Sequence, residues 1–182
     1  MRALAEPLPG VRLLELTPRH DERGFFARAF CRTTLADLDV DLTVAQANLS
    51  RSTRRGTLRG LHYQLPPSAE TKLVLCLSGA IWDCVLDLRE SSPTFGRWTA
   101  AELSPDNHRA MLVPPGCAHG FLTLAPESLV LYFVSAAYDP VRERGVRWND
   151  PTFAIDWPFE PSVVSARDRA HPDFAPAFHL AA

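Results

Sequence analysis

The chain predicts an all-β fold, a sandwich or barrel of short strands in one domain spanning residues 1–182. Three observations lead there. Runs rich in branched and aromatic side chains recur with turn residues roughly every 8 to 12 positions. Helix signals are sparse. Sixteen prolines and no long apolar heptad argue against a bundle.

The strands follow in order through the middle of the chain. KLVLCLSGAIWDCVLDLR, residues 72–89, is two runs about Ser78 and Gly79 and reads as a hairpin. In its second run Asp83 and Asp87 sit among apolar neighbours, so one face of that strand is expected to meet something polar. TAAELSPDNHRAMLVPPG repeats the pattern, with SPDN as the turn and Pro114 and Pro115 as the stop. FLTLAPESLVLYFVSAAYDP gives two further runs about Pro126, Glu127 and Ser128. Two helical signals remain: TTLADLDVDL, residues 33–42, and SARDRAHPDF, where Ser165 is a candidate N-cap and Pro172 a stop. There is no repeat, linker or low-complexity tract.

At 182 residues one sizeable core is expected, with roughly 70% of the unfolded surface buried. A formal charge of −2 supplies no global field for nucleic acid, so any anion must be bound locally. Cys31, Cys76, Cys84 and Cys117 are scattered, without CxxC pairs, and read as reduced thiols. RALAEPLPGVRLLEL lacks the apolar core of a signal peptide, and no window reaches the length of a membrane span. A cytoplasmic protein without membrane partners is expected.

The chemistry-bearing candidates sit in or beside these strands. His62, in RGLHYQL, shares a strand face with Gly60 and Gln64. Lys72 opens the next strand, His119 follows the PPG turn, and Tyr132 lies mid-strand. Each also has an ordinary structural reading: a satisfied histidine, a strand-end solubiliser, a loop residue and a core aromatic. A metal centre is disfavoured. PPGCAHG has the proline, glycine and histidine of the second cupin motif, but where metal cupins carry HxH this chain reads HYQ. That leaves only His62, His119 and one of Glu70 or Gln64 as ligands.

GTLRGLHYQ, KLVLCLSGAIWDCVLDLR, SPTFGRW, PPGCAHGF and RERGVRWNDPTFAIDWP, in that order, closely resemble the dTDP-4-dehydrorhamnose 3,5-epimerase family, a metal-independent branch of the cupins. The similarity runs from about Leu13 to about Pro172. The resemblance implies a cupin-type jelly roll, a homodimer with exchanged strands, no metal or other cofactor, and a nucleotide-linked 4-keto-6-deoxyhexose as substrate. It also implies roles. His62 matches the general base, Asp168 the carboxylate that partners it, Tyr132 the general acid on the opposite face of the sugar, and Lys72 the cation near the ketone oxygen. His119 matches a residue lining the sugar pocket; Arg23, Arg59 and Arg167, the last replacing a usual lysine, match diphosphate or sugar contacts. Phe26, Gln46, Asn48, Tyr138 and Glu143 match further substrate contacts.

The chemistry accounts for those residue types. Hydrogens on carbons 3 and 5 are acidic because both flank the carbon 4 ketone, and inversion follows if the proton returns to the other face. A base titrating near neutrality suits the first step. Asp168 bonded to the far ring nitrogen would fix the tautomer. A point charge such as Lys72 stabilises the enolate, where preorganised donors act most strongly. Arginine forks suit a diphosphate.

The spacing raises one difficulty, because residues 59 and 62 face opposite sides of a regular strand unless Gly60 marks a bulge. The chain also departs from the family twice. Arg28 stands where a glutamate associated with the thymidine is more usual, reversing charge at a nucleotide-recognition position, and Phe133 replaces an often cationic residue and is expected to reshape the pocket floor. Inversion of one carbon rather than two, a CDP- or GDP-linked substrate, and a non-catalytic sugar-nucleotide-binding cupin are the alternatives.

Overall fold

In a computed structural model that describes residues 1–181, two six-stranded, mainly antiparallel sheets face each other. The elements are β1 (Arg2–Leu8), β2 (Val11–Glu15), β3 (Arg19–Asp21), β4 (Gly24–Phe26), α1 (Arg32–Ala36), β5 (Gln46–Ser52), β6 (Thr57–Gln64), β7 (Lys72–Ser78) and β8 (Ile81–Asp87). After these come β9 (Trp98–Leu103), β10 (Arg109–Val113), β11 (Cys117–Thr123), β12 (Ser128–Val134), β13 (Glu143–Gly145), β14 (Val163–Val164), α2 (Ala166–Arg169) and α3 (Pro176–His179). One sheet runs β1-β2-β10-β7-β12-β5 and the other β13-β6-β11-β8-β9, with β14 parallel to β6. β3 and β4 form a separate small hairpin.

The jelly-roll arrangement explains why three turns that look like hairpin turns are not. β7 and β8 belong to different sheets, as do β9 and β10, and β11 and β12. Each turn carries the chain across the sandwich instead of pairing its flanking strands, which corrects the hairpin reading of residues 72–89. A turn sequence announces a reversal, but the strands' apolar faces decide whether the next strand pairs or crosses. At the first crossing Gly79 has φ +74°, and a Cβ there would run into the carbonyl of Glu127.

Between the sheets lies a core of Val11, Val74, Ile81, Val85, Leu103, Met111, Val113, Phe121 and Val130. Full burial of each such side chain contributes about 1.5–3 kcal/mol. The outer face of the first sheet is covered by Leu35 and Leu42, from the segment before β5. The helix expected over residues 33–42 shortens to α1, because Asp39 takes φ 57° and turns the chain away. Phe133 packs on Phe30 in this outer layer, 5.4 Å between ring centroids, and so does not form the pocket floor. The outer face of the second sheet is covered by Phe153, Trp157, Phe174 and Leu180. α2 begins after Ser165 as expected, with the Asp168 amide donating to Ser165 Oγ at 3.0 Å.

Candidate active site

The apolar core fills only one flank of the sandwich interior. Toward the edges formed by β5, β12, β6 and β13 the inward side chains turn polar and line a cavity of about 570 Å³. Gln46 and Asn48 on β5, Tyr132 on β12 and Lys72 on β7 enter from one sheet. Arg59 and His62 on β6, His119 on β11 and Glu143 on β13 enter from the other, with Tyr138, Arg167 and Asp168 from the flanking segments. His62 and Tyr132 therefore approach the cavity from opposite walls.

The register resolves the spacing difficulty. On β11, His119 pairs with His62 and Phe121 with Arg59, so residues 60 and 61 together oppose the single Gly120. This bulge puts Arg59 and His62 on one face. Gly60 takes φ +120°, and a Cβ there would lie 2.5 Å from the Gly120 Cα, so the approach of the two backbones requires glycine at this point.

His62 Nε2 and Asp168 Oδ1 are 2.8 Å apart, with 31% of the histidine side chain exposed and 6% of the aspartate's. Asp168 is held from two further sides: Oδ2 accepts from the Gly60 amide at 3.3 Å, and its own amide caps onto Ser165. Burial alone would raise the Asp168 pKa, but the hydrogen bond and charge of His62 outweigh it and hold the carboxyl below its ordinary value. An ionised Asp168 accepting from Nε2–H leaves the lone pair on Nδ1, the nitrogen free to take a proton.

Lys72 is no strand-end solubiliser. It is 8% exposed, donates to the His62 carbonyl at 2.8 Å and pairs with Glu70 at 3.1 Å. Nor is His119 a loop residue: it lies within β11, and its Nε2 is 2.8 Å from Oδ1 of buried Asp83. Asp83 Oδ2 and Ser50 Oγ are buried without a hydrogen-bond partner among the described residues. Burial raises the Tyr132 pKa, Arg59 draws it part of the way back, and Glu143 adds to the rise. The phenol is thus kept protonated at neutral pH.

At the rim the Tyr138 hydroxyl donates to Glu143 Oε2 at 2.6 Å and its amide to Gln46 Oε1 at 2.7 Å, while Arg167 pairs with Glu143. Burial would raise Glu143, but the bonds from Tyr138 and Arg167 outweigh it and lower its pKa. Arg59 donates to Ser52 Oγ and to the Arg51 carbonyl, which holds its fork at the cavity wall.

Three predicted contacts lie elsewhere. Arg23 and Phe26, on the β3–β4 hairpin, and Arg28 just beyond it are exposed and do not line this cavity within one chain. The side chains weighed as a metal handle are engaged separately. Gln64 Nε2 donates to Ser68, Glu70 and Ala137, its Oε1 accepts from the Asp139 amide, Glu70 pairs with Lys72, and His119 pairs with Asp83.

One residue was missed. His171 follows Asp168 by three positions at the end of α2, and its Nε2 comes within 3.8 Å of Asp168 Oδ1. Its ring lies against Gly145, where any Cβ would collide with it, and meets His62 edge-on at 5.9 Å. Burial first, and then His62, lower its pKa. The i, i+3 spacing across a capped turn was the available signal.

Residues 5–176 match the family model described as dTDP-4-dehydrorhamnose 3,5-epimerase. A dTDP-4-dehydrorhamnose 3,5-epimerase of Mycobacterium tuberculosis is 44% identical over 186 residues, 96% of this chain and 88% of that protein. The crystal structure of the Bacillus anthracis dTDP-4-dehydrorhamnose 3,5-epimerase with TDP and PPi bound superposes with TM-score 0.92 at 42% identity, covering 95% and 99% of the two chains. A 3′-monoepimerase of Streptomyces bikiniensis in complex with dTDP-quinovose superposes at 0.87, with 34% identity and coverage of 99% and 90%.

Proposed function

The chain belongs to the dTDP-4-dehydrorhamnose 3,5-epimerase family and is an isomerase; from that premise we propose how its own residues carry out the epimerisation. A dTDP-linked 4-keto-6-deoxyhexose enters the cavity with its ring between His62 and Tyr132. Nδ1 of His62 takes the hydrogen from the carbon beside the ketone. The imidazolium that forms is stabilised by Asp168, and the charge delivered to the ketone oxygen is met by Lys72. Tyr132 returns a proton from the opposite face and inverts the centre. Arg59 and Arg167 grip the diphosphate, while Gln46, Asn48, His119, Tyr138 and Glu143 contact the sugar or its nucleotide. The observation that carries this reading is the half-buried His62–Asp168 pair at 2.8 Å, facing a protonated tyrosine on the other sheet.

The whole chain acts as one domain in this reading, in the cytoplasm, with the sugar nucleotide and a second copy of itself as partners and neither nucleic acid nor membrane. Four free cysteines and a net charge of −2 favour that setting, and among the described residues no helix is long and apolar enough to cross a membrane. The homodimer with exchanged strands is favoured by six exposed positions on β1 and by Phe25, Phe26 and Leu49, which are 55%, 65% and 67% exposed. It would also bring Arg23, Phe26 and Arg28 to a partner's cavity.

The experiment is a proton NMR time course with dTDP-4-keto-6-deoxyglucose in deuterium oxide, repeated with the CDP-linked analogue. Deuterium with inverted configuration at carbons 3 and 5 identifies a double epimerase, and inversion at carbon 3 alone a monoepimerase like the Streptomyces neighbour. No exchange above a protein-free control with either compound overturns the reading.

A further inference from the structure

His62, Asp168 and His171 each offer one ligand atom, and the three atoms lie within 4.8 Å of one another. The pairs measured are 2.8 Å for His62 Nε2 to Asp168 Oδ1 and 3.8 Å for His171 Nε2 to the same oxygen. A tetrahedral ion with bonds of about 2.1 Å needs ligand atoms about 3.4 Å apart, which these distances bracket. His171 Nε2 is buried and has no hydrogen-bond partner among the described residues. A buried histidine nitrogen without a partner is costly, and two imidazoles with one carboxylate form a donor set suited to zinc-type ions and unsuited to magnesium.

We propose that these three residues bind a divalent cation of the zinc type, with water in the fourth position, and that the ion holds the enzyme inactive. On binding, the proton on His62 Nε2 leaves to solvent, that nitrogen's lone pair goes to the metal, and Nδ1 takes up a proton from solvent. The imidazole stays neutral with its tautomer reversed, its one proton now on Nδ1. Nδ1 then has no lone pair for the substrate hydrogen, so metal and catalysis exclude each other. His171 supplies what His62 and Asp168 lack by themselves: a third protein ligand.

The inhibitory half of this proposal rests on His62 being the base, whereas the binding half does not. Calorimetric titration of the chelator-stripped full chain with zinc, and visible absorption with cobalt as a tetrahedral reporter, read binding alone. One site per chain is expected, with no heat from magnesium. Both His171→Ala and His171→Asn, checked for folding by circular dichroism, should weaken zinc at least about tenfold. In the epimerase assay, with each protein scaled to its own metal-free rate, zinc should stop the unaltered chain, EDTA should restore it, and the half-inhibiting concentration should rise at least about tenfold in both variants. Absence of zinc binding, or equal zinc affinity in both variants, overturns the site. Zinc bound through His171 without loss of rate overturns the inhibition, while the assignment of His62 as the base stands or falls separately with exchange by His62→Asn.

Discussion

The two flanks of the sandwich interior are built from the same alternating strands and put to opposite uses. On the closed flank Asp87, at the end of β8, has no solvent exposure, and its carboxylate receives five hydrogen bonds from nitrogen and oxygen donors besides a longer one from Cys117 Sγ. The five come from the Arg89 amide and guanidinium and from the Ser92 and Thr94 hydroxyls, at 2.6–3.0 Å. Arg89 then reaches the Pro9 carbonyl and clasps the β1–β2 turn to the core. On the open flank Asp168 is almost as buried at 4%, yet its carboxylate has only His62 and the Gly60 amide as hydrogen-bond partners among the described residues, with His171 near but unbonded. A saturated carboxylate has one arrangement and serves structure; an unsaturated one beside a titratable partner retains the capacity to exchange a proton or take a ligand.

If that division holds, substitutions on the open flank should reduce turnover with little change in stability, and those on the closed flank the reverse. The largest effect is expected at the base. His62→Asn should fold normally and lose at least about 10²- to 10⁴-fold in kcat, the usual contribution of matched proton transfer, read alongside a thermal melt. Lys72→Gln should follow, with about 10²- to 10³-fold lost in kcat and a smaller change in KM, because the enolate's charge develops only after binding. On the other flank Asp87→Asn should leave kcat near that of the parent but lower unfolding free energy by about 2–4 kcal/mol, measured by denaturant titration.

Asp87 also sets a pH dependence. Burial alone would raise its pKa, but the hydrogen bonds from Arg89, Ser92 and Thr94 outweigh that and hold it well below the ordinary carboxylate value. Its stabilisation is therefore fully present above about pH 4 and lost as pH falls further, when the unfolded chain takes up the proton first. The acid limb of a Tm-against-pH curve should be shallower in Asp87→Asn than in the parent chain. An equal slope would mean that Asp87 does not govern acid stability.

Much of this division could be read in the chain and some of it could not. The strand runs were visible because branched and aromatic residues cluster between prolines and glycines. The destination of each turn was not, since crossing to the other sheet and pairing with the same one use the same turn residues. His62, Lys72 and Tyr132 stood out as polar groups within apolar strands, and their roles came from the resemblance. Side-chain alternation put Arg59 and His62 on opposite faces; the bulge opposite Gly120, which reunites them, is a property of pairing between strands and has no local signature beyond Gly60. His171 was overlooked because its one signal, the i, i+3 spacing from Asp168, runs past the end of a short helix. Arg23, Phe26 and Arg28 were named from motif position alone, and one chain does not bring them to its own cavity.

The most direct test of the central claim is to compare isotope wash-out with inversion in Tyr132→Phe and His62→Asn, using the 4-keto sugar nucleotide in deuterium oxide. Tyr132→Phe should still exchange the hydrogen beside the ketone while forming almost no inverted product, because His62 removes a proton and returns it to the same face. His62→Asn should do neither. Inversion by Tyr132→Phe near the parent rate, or exchange by His62→Asn, would contradict the assignment of base and acid to opposite walls of the cavity.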